Sequence, residues 1–223
     1  MAPRALERSQ SLAEEIATTL ENAIISGRLR PRAHLIELEL ASAHGVSRAP
    51  VREALRILER DGLVSKRSQG FEVADVTAGE AADIFEIMAH LEELLTRRAT
   101  PHIGPPELRR MRKALNAMDA AVQRNDVAGY YVLNLEFHDV ILDASPNRRL
   151  IDFLASLGKK TLRFRHLALS ISGRLPVSLA EHRQIYSAIR RRDAEAAGRL
   201  ARESGENAFA GLAVLLNQPG AIL

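Results

Sequence analysis

The sequence predicts a mainly α-helical protein made of two parts that meet near residue 76. Leucine, alanine and isoleucine must fill the interior, because aromatic residues make up only 4% of the chain and tryptophan is absent. Up to residue 61 the apolar residues recur at helical spacing, and two short alternating segments around SQG then indicate a β-hairpin. No strand-like alternation occurs beyond residue 76. We therefore expect one domain over residues 1–76 and an all-helical bundle over residues 77–223.

Three helices precede the predicted hairpin. The first has apolar residues at helical spacing and ends before Gly27, and Pro31 prevents its continuation. Gly45 closes a short second helix. Ser47 suits the N-cap of the third helix, and Pro50 falls in its first turn, where no intrahelical N–H bond is needed. The predicted elements are helices over residues 12–25, 37–44 and 48–61, an extended piece over residues 34–36, and a hairpin formed by LVSKR and GFEVADV.

Proline, glycine and asparagine divide the remainder of the chain into helices. Thr77-Ala-Gly-Glu80 and Ser178-Leu-Ala-Glu181 match the capping-box pattern, in which a hydroxyl and a carboxylate each accept a hydrogen bond from a backbone N–H at the helix start. The predicted helices cover residues 78–100, 106–124, 126–143, 147–171, 178–191 and 193–216.

The second and third predicted helices, joined by Gly45-Val46-Ser47, form a helix-turn-helix, and the hairpin adds a wing. In such a unit the second helix of the pair enters the major groove of DNA by its N-terminal end. Four arginines recur at helical spacing along that helix, and the segment from Arg48 to Arg67 holds six basic and three acidic residues. An arginine stripe alone is more simply interpreted as a solvated basic face. The glycine turn, the capped helix and the basic hairpin tip together favour DNA binding.

The residues of this unit have separate expected roles. Arg48 lies in the first turn, where a guanidinium reaches guanine O6 and N7, and Arg52 reaches either a base or a phosphate. The Ser47 hydroxyl and the N–H groups beside it suit a phosphate oxygen. Arg56 and Arg60 either pair with a nearby glutamate or contact a phosphate, and the wing reaches across the adjacent minor groove. The predicted DNA-binding residues are Ser47, Arg48, Arg52, Arg56, Lys66, Arg67, Gln69 and Gly70.

The segment SGRLRPRAHLIELELASAHGVSRAPVREALRILERDGLVSKRSQGFEV resembles the N-terminal domain of GntR-type bacterial transcription regulators. The match covers residues 10–76 and rests on GRLRP, LA, GVSR, PVREAL and GLV, in the order of the family. One winged helix per chain is too small a footprint for tight specific binding, so we expect a homodimer that binds a short pseudo-palindromic operator. Arg32 stands where glycine is usual, and we expect it to alter the turn or to add a phosphate contact. Leu38 stands where some relatives have a DNA-contacting arginine, and we expect it to pack instead.

Residues 78–216 resemble the all-helical effector domain of the FadR branch of GntR regulators, the FCD domain. The resemblance rests on LNLEFHDVILDASPN around His138 and on SLAEHRQIYSAIRRRDAEAA around His182. Many members of that family hold a divalent metal with one aspartate and three histidines, and bind an effector carboxylate with an arginine in the first helix. In this chain the aspartate position is Asn134, the third histidine position is Ser204, and the arginine position is Met88.

These changes favour a ligand pocket over a metal centre. Asn134 carries no charge and Ser204 is a weaker ligand than imidazole, so Zn²⁺ or Ni²⁺ would bind much less tightly than to the full set. We expect no tightly held metal; if one is bound, its ligands are His138 and His182. The histidines are either hydrogen-bonded core residues or part of a polar patch that binds a ligand larger, less charged and more apolar than a dicarboxylate. The predicted effector-binding residues are Met88, Asn134, His138, His182 and Ser204.

Other classes of protein are disfavoured. No apolar run approaches the ~20 residues that span a bilayer, the N-terminus lacks the apolar core of a signal peptide, and cysteine is absent. The common catalytic patterns are missing, and His138 and Asp139 point about 100° apart on a helix, so no catalytic residue is predicted. We expect a cytoplasmic homodimer, with no membrane partner, that represses transcription from double-stranded DNA and responds to a small metabolite. The alternatives are a helical dimer domain without an effector, and an enzyme fused to a winged helix.

Overall fold

The computed structural model describes residues 3–216, and the chain divides into two compact units after Thr77. The first unit contains α1 (Pro3–Ile25), β1 (His34–Leu35), α2 (Glu37–His44), α3 (Arg48–Arg60), β2 (Val64–Lys66) and β3 (Phe71–Val73). The second contains α4 (Ala78–Ala99), a 3₁₀ turn (Thr100–His102), α5 (Pro105–Gln123), α6 (Val127–Ala144), α7 (Arg148–Leu169), α8 (Arg174–Arg190) and α9 (Ala194–Leu216). The mainly helical fold is confirmed, although α1 begins well before its predicted start at residue 12.

Helices α1 and α3 supply much of the core of the first unit, together with the strands. Val51, Leu55 and Leu58 are fully buried because apolar residues recur every three or four positions along α3. They belong to the same apolar cluster as Ile16 and Leu20 of α1. The opposite face of α3 is therefore left to solvent, and that face carries the arginines.

A three-stranded antiparallel sheet, in the order β1-β3-β2, completes the first unit. The predicted hairpin is present, with Ser65 of β2 opposite Glu72 of β3. The extended piece predicted around His34 is also present, but its pairing with Glu72 on the other edge of β3 was not predicted. Two helices separate β1 from the hairpin along the chain, so no local pattern indicates that the strands meet.

The two positions that depart from the GntR pattern differ in outcome. Arg32 has φ of +61°, a left-handed conformation that favours glycine, and its Nε donates to Asp75 Oδ2 at 2.7 Å. A glycine-like turn is thus kept with an arginine in it. The expectation that Leu38 packs is wrong, because the residue is 64% exposed. Helix α2 has eight residues and buries Ala41, so it has no second apolar face to cover Leu38.

Helix α8 begins earlier than predicted. The capping box at Ser178 and Glu181 is wrong, because α8 starts at Arg174 after Gly173, whose φ is +77°. Pro176 falls in the first turn, where proline removes no intrahelical hydrogen bond. The carboxylate of Glu181 instead accepts a hydrogen bond from Arg174 at 2.7 Å.

The second unit packs its helices around one apolar core. Helix α4 packs along α9 and α7, and α5 packs against α6 and α8. In the part of the chain that the structure describes, no helix is both long enough and apolar enough to cross a bilayer. The largest fully buried side chains of this core include Ile103, Met111, Met118, Tyr130, Phe137, Ile185 and Ile189.

Candidate functional site

The exposed face of α3 begins directly after a sharp turn. Gly45 forms the corner with φ of +64°, and Ser47 occupies the extended N-cap position, as predicted. Ser47 makes no side-chain capping bond, so the helix itself does not use its hydroxyl. The side chains of Arg48 and Arg52 are 58% and 47% exposed and lie in the first turns that follow.

One carboxylate of α2 holds these two arginines. Glu37 accepts hydrogen bonds from Arg48 Nη2 at 3.1 Å and from Arg52 Nε and Nη2 at 3.0 and 2.9 Å. The hydrogen bonds from Arg52 are the main reason that the pKa of Glu37 is lowered, which keeps the carboxyl ionised at neutral pH. The sequence analysis missed Glu37, because it lies eleven residues from Arg48. Its place at the start of α2, where negative charge is favoured, was the one available indication.

The last two arginines of α3 pair with nearby carboxylates. Arg56 Nη1 lies 3.6 Å from Glu53 Oε2, as predicted, whereas Arg60 Nε lies 3.6 Å from Asp61 Oδ1 rather than beside a glutamate. Both partners of the Arg56–Glu53 pair are largely exposed, and such a pair contributes about 0.2–1 kcal/mol at most. A phosphate can therefore replace the carboxylate at little cost, and phosphate contact by Arg56 stays a prediction.

The predicted wing is a tight turn between β2 and β3. The backbone N–H of Arg67 donates to Gly70 O at 3.1 Å. Gly70 has φ of +83°, and a Cβ there would lie 2.7 Å from the carbonyl oxygen of Leu35, so glycine is required. Arg67 Nη2 donates to Glu72 Oε1 at 2.7 Å, which lowers the pKa of Glu72. Also exposed at the wing are Lys66 and Gln69.

Helices α4, α6, α7, α8 and α9 line a cavity of about 70 Å³ in the second unit. The five residues predicted to bind an effector lie on four of these helices, and the fold brings all five into the cavity wall. Sequence analysis did not select Glu92, Tyr131, Arg165 and Arg174, which line the same cavity. The five predicted residues are Met88 on α4, Asn134 and His138 on α6, His182 on α8 and Ser204 on α9.

His138 and His182 contact each other through their ring nitrogens. The two Nε2 atoms are 3.1 Å apart, and His182 Nδ1 lies 2.7 Å from the carbonyl oxygen of Ser178. Because a carbonyl only accepts, His182 Nδ1 carries the hydrogen; neutral His182 then accepts at Nε2, and His138 donates from its own Nε2. Burial lowers the pKa of both imidazoles to about 3, and the nearby charge of Arg165 adds to the effect at His138. Both rings are therefore neutral at pH 7.

A buried arginine lines the same cavity with unused donors. The side chain of Arg174 is 8% exposed, and its Nη2 donates to Glu181 Oε2 at 2.7 Å. The hydroxyl of Ser204 donates to the same oxygen at 2.9 Å. Arg174 Nε and Nη1 have no hydrogen-bond acceptor among the described residues. A buried donor without an acceptor costs about 1–3 kcal/mol, so the fold carries this cost at Arg174.

Two family models match the chain, one for each unit. Bacterial regulatory proteins of the gntR family match residues 12–73, and the FCD domain matches residues 83–207. The HTH-type transcriptional regulator YdhC of Bacillus subtilis is 31% identical over 180 residues, which are 80% of each chain. The chain belongs to the GntR family, with an FCD domain.

Further GntR-family proteins match across both units. The transcriptional repressor RspR of Escherichia coli K12 is 25% identical over 195 residues, which are 87% of this chain and 86% of RspR. The solved structure of Escherichia coli McbR has the same fold, with a TM-score of 0.79 over 90% of this chain and 96% of McbR, at 24% identity. This GntR-family protein is thus a DNA-binding transcription regulator.

The side chains of this GntR-family protein do not fit the divalent metal that many FCD domains hold. The described residues contain no group of three His, Cys, Asp or Glu side chains arranged to hold a metal. Ser204 donates its hydroxyl hydrogen to Glu181, Asn134 is uncharged, and the guanidiniums of Arg165 and Arg174 line the same cavity. The carboxylates of Glu92 and Glu181 are taken up by those two guanidiniums, so neutral donors stand where Zn²⁺ or Ni²⁺ would require anionic ligands or further imidazoles.

Proposed function

We propose that the protein represses transcription by binding a pseudo-palindromic operator as a homodimer, and that a small metabolite in the FCD cavity changes its affinity for that operator. The observation that supports effector control is a cavity lined by the neutral pair His138 and His182 and by the buried Arg174, two of whose donors have no acceptor among the described residues. A residue that only filled the core would have its donors satisfied within the protein. A cavity with convergent polar groups is the usual form of a small-molecule site.

At the operator, we expect Arg48 to read a guanine and Arg52 to contact a base or a phosphate. Glu37 holds both guanidiniums at the start of α3, which lowers the entropy lost when they engage DNA. A bidentate arginine–guanine contact provides about 1–3 kcal/mol of discrimination. One winged unit has too small a footprint for tight specific binding, so two copies on two half-sites are required. The remaining contacts, mainly to phosphates and sugars, are assigned to Ser47, Arg56, Lys66, Arg67, Gln69 and Gly70.

The effector acts through a difference in its affinity for two arrangements of the dimer, because equal affinity for both would shift nothing. Helix α4 follows β3 after a short connection and carries Met88 in the cavity wall. We assign the transmission of the signal to α4 for that reason. A bacterial regulator meets its operator in the cytoplasm, where we expect this protein, and we assign it no catalytic role.

Operator binding with and without an effector tests the proposal. A thermal-shift screen of small metabolites identifies a ligand, and fluorescence anisotropy with a labelled operator measures its effect. His138→Ala and His182→Ala are expected to lose the response to that ligand and to keep operator binding in its absence. His90→Ala is the matched control, since His90 is exposed on α4 and bonds the backbone of Glu86.

A purely structural helical unit is the second candidate function. It is favoured by the hydrogen bonds of the histidine pair, which give a partner to both ring nitrogens of His182 and to Nε2 of His138. It would be supported if no metabolite stabilised the protein and if the two histidine variants unfolded while His90→Ala remained folded. It would be excluded by a metabolite that changes operator affinity in the wild type and not in folded His138→Ala.

A further inference from the structure

The first unit exposes large apolar side chains at one place. Among the side chains that the structure describes in this unit, the large hydrophobic residues exposed to solvent are Ile36, at 43%, and Leu38, at 64%. They stand two positions apart at the start of α2. Single apolar residues scattered over a surface are ordinary, but a concentration at one place indicates a contact with something outside the chain.

The segment Ile36–Leu38 lies between the two parts of the unit that are expected to contact DNA. Glu37, in the middle of the segment, accepts a hydrogen bond from Arg52 of α3 at 2.9 Å. On the side of the wing, a Cβ at Gly70 would lie 3.8 Å from Ile36 Cα, so the backbone of the wing lies against the same segment. An apolar surface is therefore enclosed by the arginines of α3 and the turn of the wing.

Leu38 is the member of this surface that projects farther into solvent. Ile36 occupies the extended N-cap position directly after β1, whereas Leu38 lies within the first turn of α2. Successive residues of a helix project about 100° apart, so Leu38 does not share the direction of Glu37, whose carboxylate holds the arginines. The leucine side chain is thus free to contact a molecule that those arginines bind.

The chemistry of this surface selects one group of DNA. A leucine side chain has no hydrogen-bond donor or acceptor, so it contributes nothing to a phosphate or to the polar edge of a base. The C5 methyl of thymine is the apolar group that a base pair presents in the major groove, and apolar side chains read it by contact. Arg48 and Arg52 beside it favour a polyanion over a protein partner.

We propose that Leu38 packs against the C5 methyl of a thymine in each half-site and thereby determines specificity at that base pair. The proposal rests on the proposed operator binding and adds the base group that α2 reads. The contact discriminates by a methyl group and not by hydrogen bonding. Thymine is consequently preferred over uracil, which differs from it by that methyl alone.

A uracil scan of the operator tests the contact without any change to the protein. In vitro selection from random duplexes with the full-length protein supplies the operator, and each thymine is then replaced in turn by deoxyuridine. At one thymine per half-site, uracil is expected to weaken binding roughly fourfold for each half-site changed, the effect of one buried methyl group. Fluorescence anisotropy measures the affinities. An operator that shows no thymine with this sensitivity overturns the proposal.

Variants at position 38 assign the effect to its side chain. Leu38→Ala is expected to fold, because the residue is exposed and alanine has a higher helix propensity than leucine. It is expected to bind the thymine and uracil operators equally and to keep the wild-type salt slope, because no charge changes. Leu38→Met keeps an apolar side chain of similar reach and is expected to keep the preference for thymine. Val132→Ala is the control, since Val132 is 55% exposed on α6 of the other unit.

Two results with these variants contradict the proposal. A folded Leu38→Ala that keeps the full preference for thymine over uracil shows that another side chain contacts the methyl. A preference that is lost in Leu38→Met as completely as in Leu38→Ala shows that apolar contact is not its cause.

The two levels of the proposal fail in different ways. If selection recovers a preferred sequence whose binding depends on Arg48 but not on any thymine methyl, the role of Leu38 is refuted and operator binding stands. If selection recovers no preferred sequence, operator binding itself is refuted, and the role of Leu38 with it.

Discussion

Glu37→Gln separates two effects of one carboxylate on DNA binding. The carboxylate holds Arg48 and Arg52 through hydrogen bonds of 2.9–3.2 Å. It also places a negative charge among side chains that are expected to contact phosphates. Glutamine keeps the shape of the side chain and one acceptor oxygen but removes the charge, so the braced geometry weakens and the repulsion of DNA disappears.

The two effects oppose each other at the operator, whereas only the loss of bracing enters the specificity ratio, because the charge effect strengthens binding to every sequence alike. Immobilising a long side chain on binding costs about 0.5–1.5 kcal/mol, so loosening two arginines weakens operator binding by about 1–3 kcal/mol per half-site. Removing one negative charge resembles one further neutralised phosphate, which steepens the salt slope by about 0.9 and strengthens binding to any sequence by about tenfold at 0.1 M salt. Operator affinity is therefore expected to change little, while discrimination against unrelated DNA falls by about fivefold or more per half-site.

Fluorescence anisotropy at several salt concentrations, with an operator and a scrambled duplex, measures both terms. Glu39→Gln is the matched control, because Glu39 lies in the same first turn of α2 and carries the same charge, while the arginines of α3 bond Glu37. The role assigned to Glu37 would be refuted if Glu37→Gln and Glu39→Gln had the same specificity ratio and the same salt slope.

Arg48→Ala is expected to cost about 1–3 kcal/mol of operator binding and to relax specificity at one base. Lys66→Ala is expected to weaken binding to all sequences alike and to flatten the salt dependence. Wild-type operator affinity in Arg48→Ala, measured by anisotropy, would contradict the placement of α3 in the major groove. Elemental analysis of the purified protein is expected to find no Zn, Ni or Mn in amounts near one per chain, and such an amount would refute the assignment of the donor set. Stability against urea is expected to fall as the pH drops below 6.5, because unfolded histidines take up protons that His138 and His182, with pKa values of about 3, do not. Between the unfolded pKa of about 6.5 and the folded pKa of about 3, the loss of unfolding free energy is at most about 1.4 kcal/mol per pH unit per histidine. An unchanged urea midpoint between pH 7 and pH 5 would show that the rings are not held neutral.

The helix-turn-helix could be predicted from the sequence because its indications are local. Gly45 supplies the left-handed corner, Ser47 takes the N-cap position, and the spacing around Leu55 defines the buried face of α3. The starts of α6 and α7 follow the same rule, because Asp126 and Asn147 accept hydrogen bonds from backbone N–H groups three residues later. In each case the interacting groups lie within about one helical turn of each other, so the sequence contains both partners side by side.

The effector residues required more than local patterns. No spacing relates His138 on α6 to His182 on α8, and the resemblance to FCD domains supplied their common place. That resemblance indicates which positions line the pocket, but it does not indicate which side chains contact each other there. It did not indicate that Arg174 and Arg165 would line the same cavity, or that an aliphatic cavity would adjoin it.

The wrong prediction of a capping box shows why hydrogen-bond partners cannot always be predicted from the sequence. Ser178 and Glu181 have the residue types and spacing of a helix start, yet the carboxylate bonds Arg174 and Ser204 inside the fold. Competition between a local backbone N–H and a distant buried guanidinium is decided by desolvation, which depends on how the helices pack.

Charge, turn chemistry and apolar periodicity were thus available from the sequence, because each acts over a few residues of chain. The tertiary structure decided the ion pair of Glu37 with Arg48, the pairing of β1 with β3, the exposure of Leu38 and the two adjoining cavities. The physical reason is that ion pairs, strand pairing and cavity volume depend on which segments meet and how much water they exclude, and those quantities exist only once distant parts of the chain have packed together.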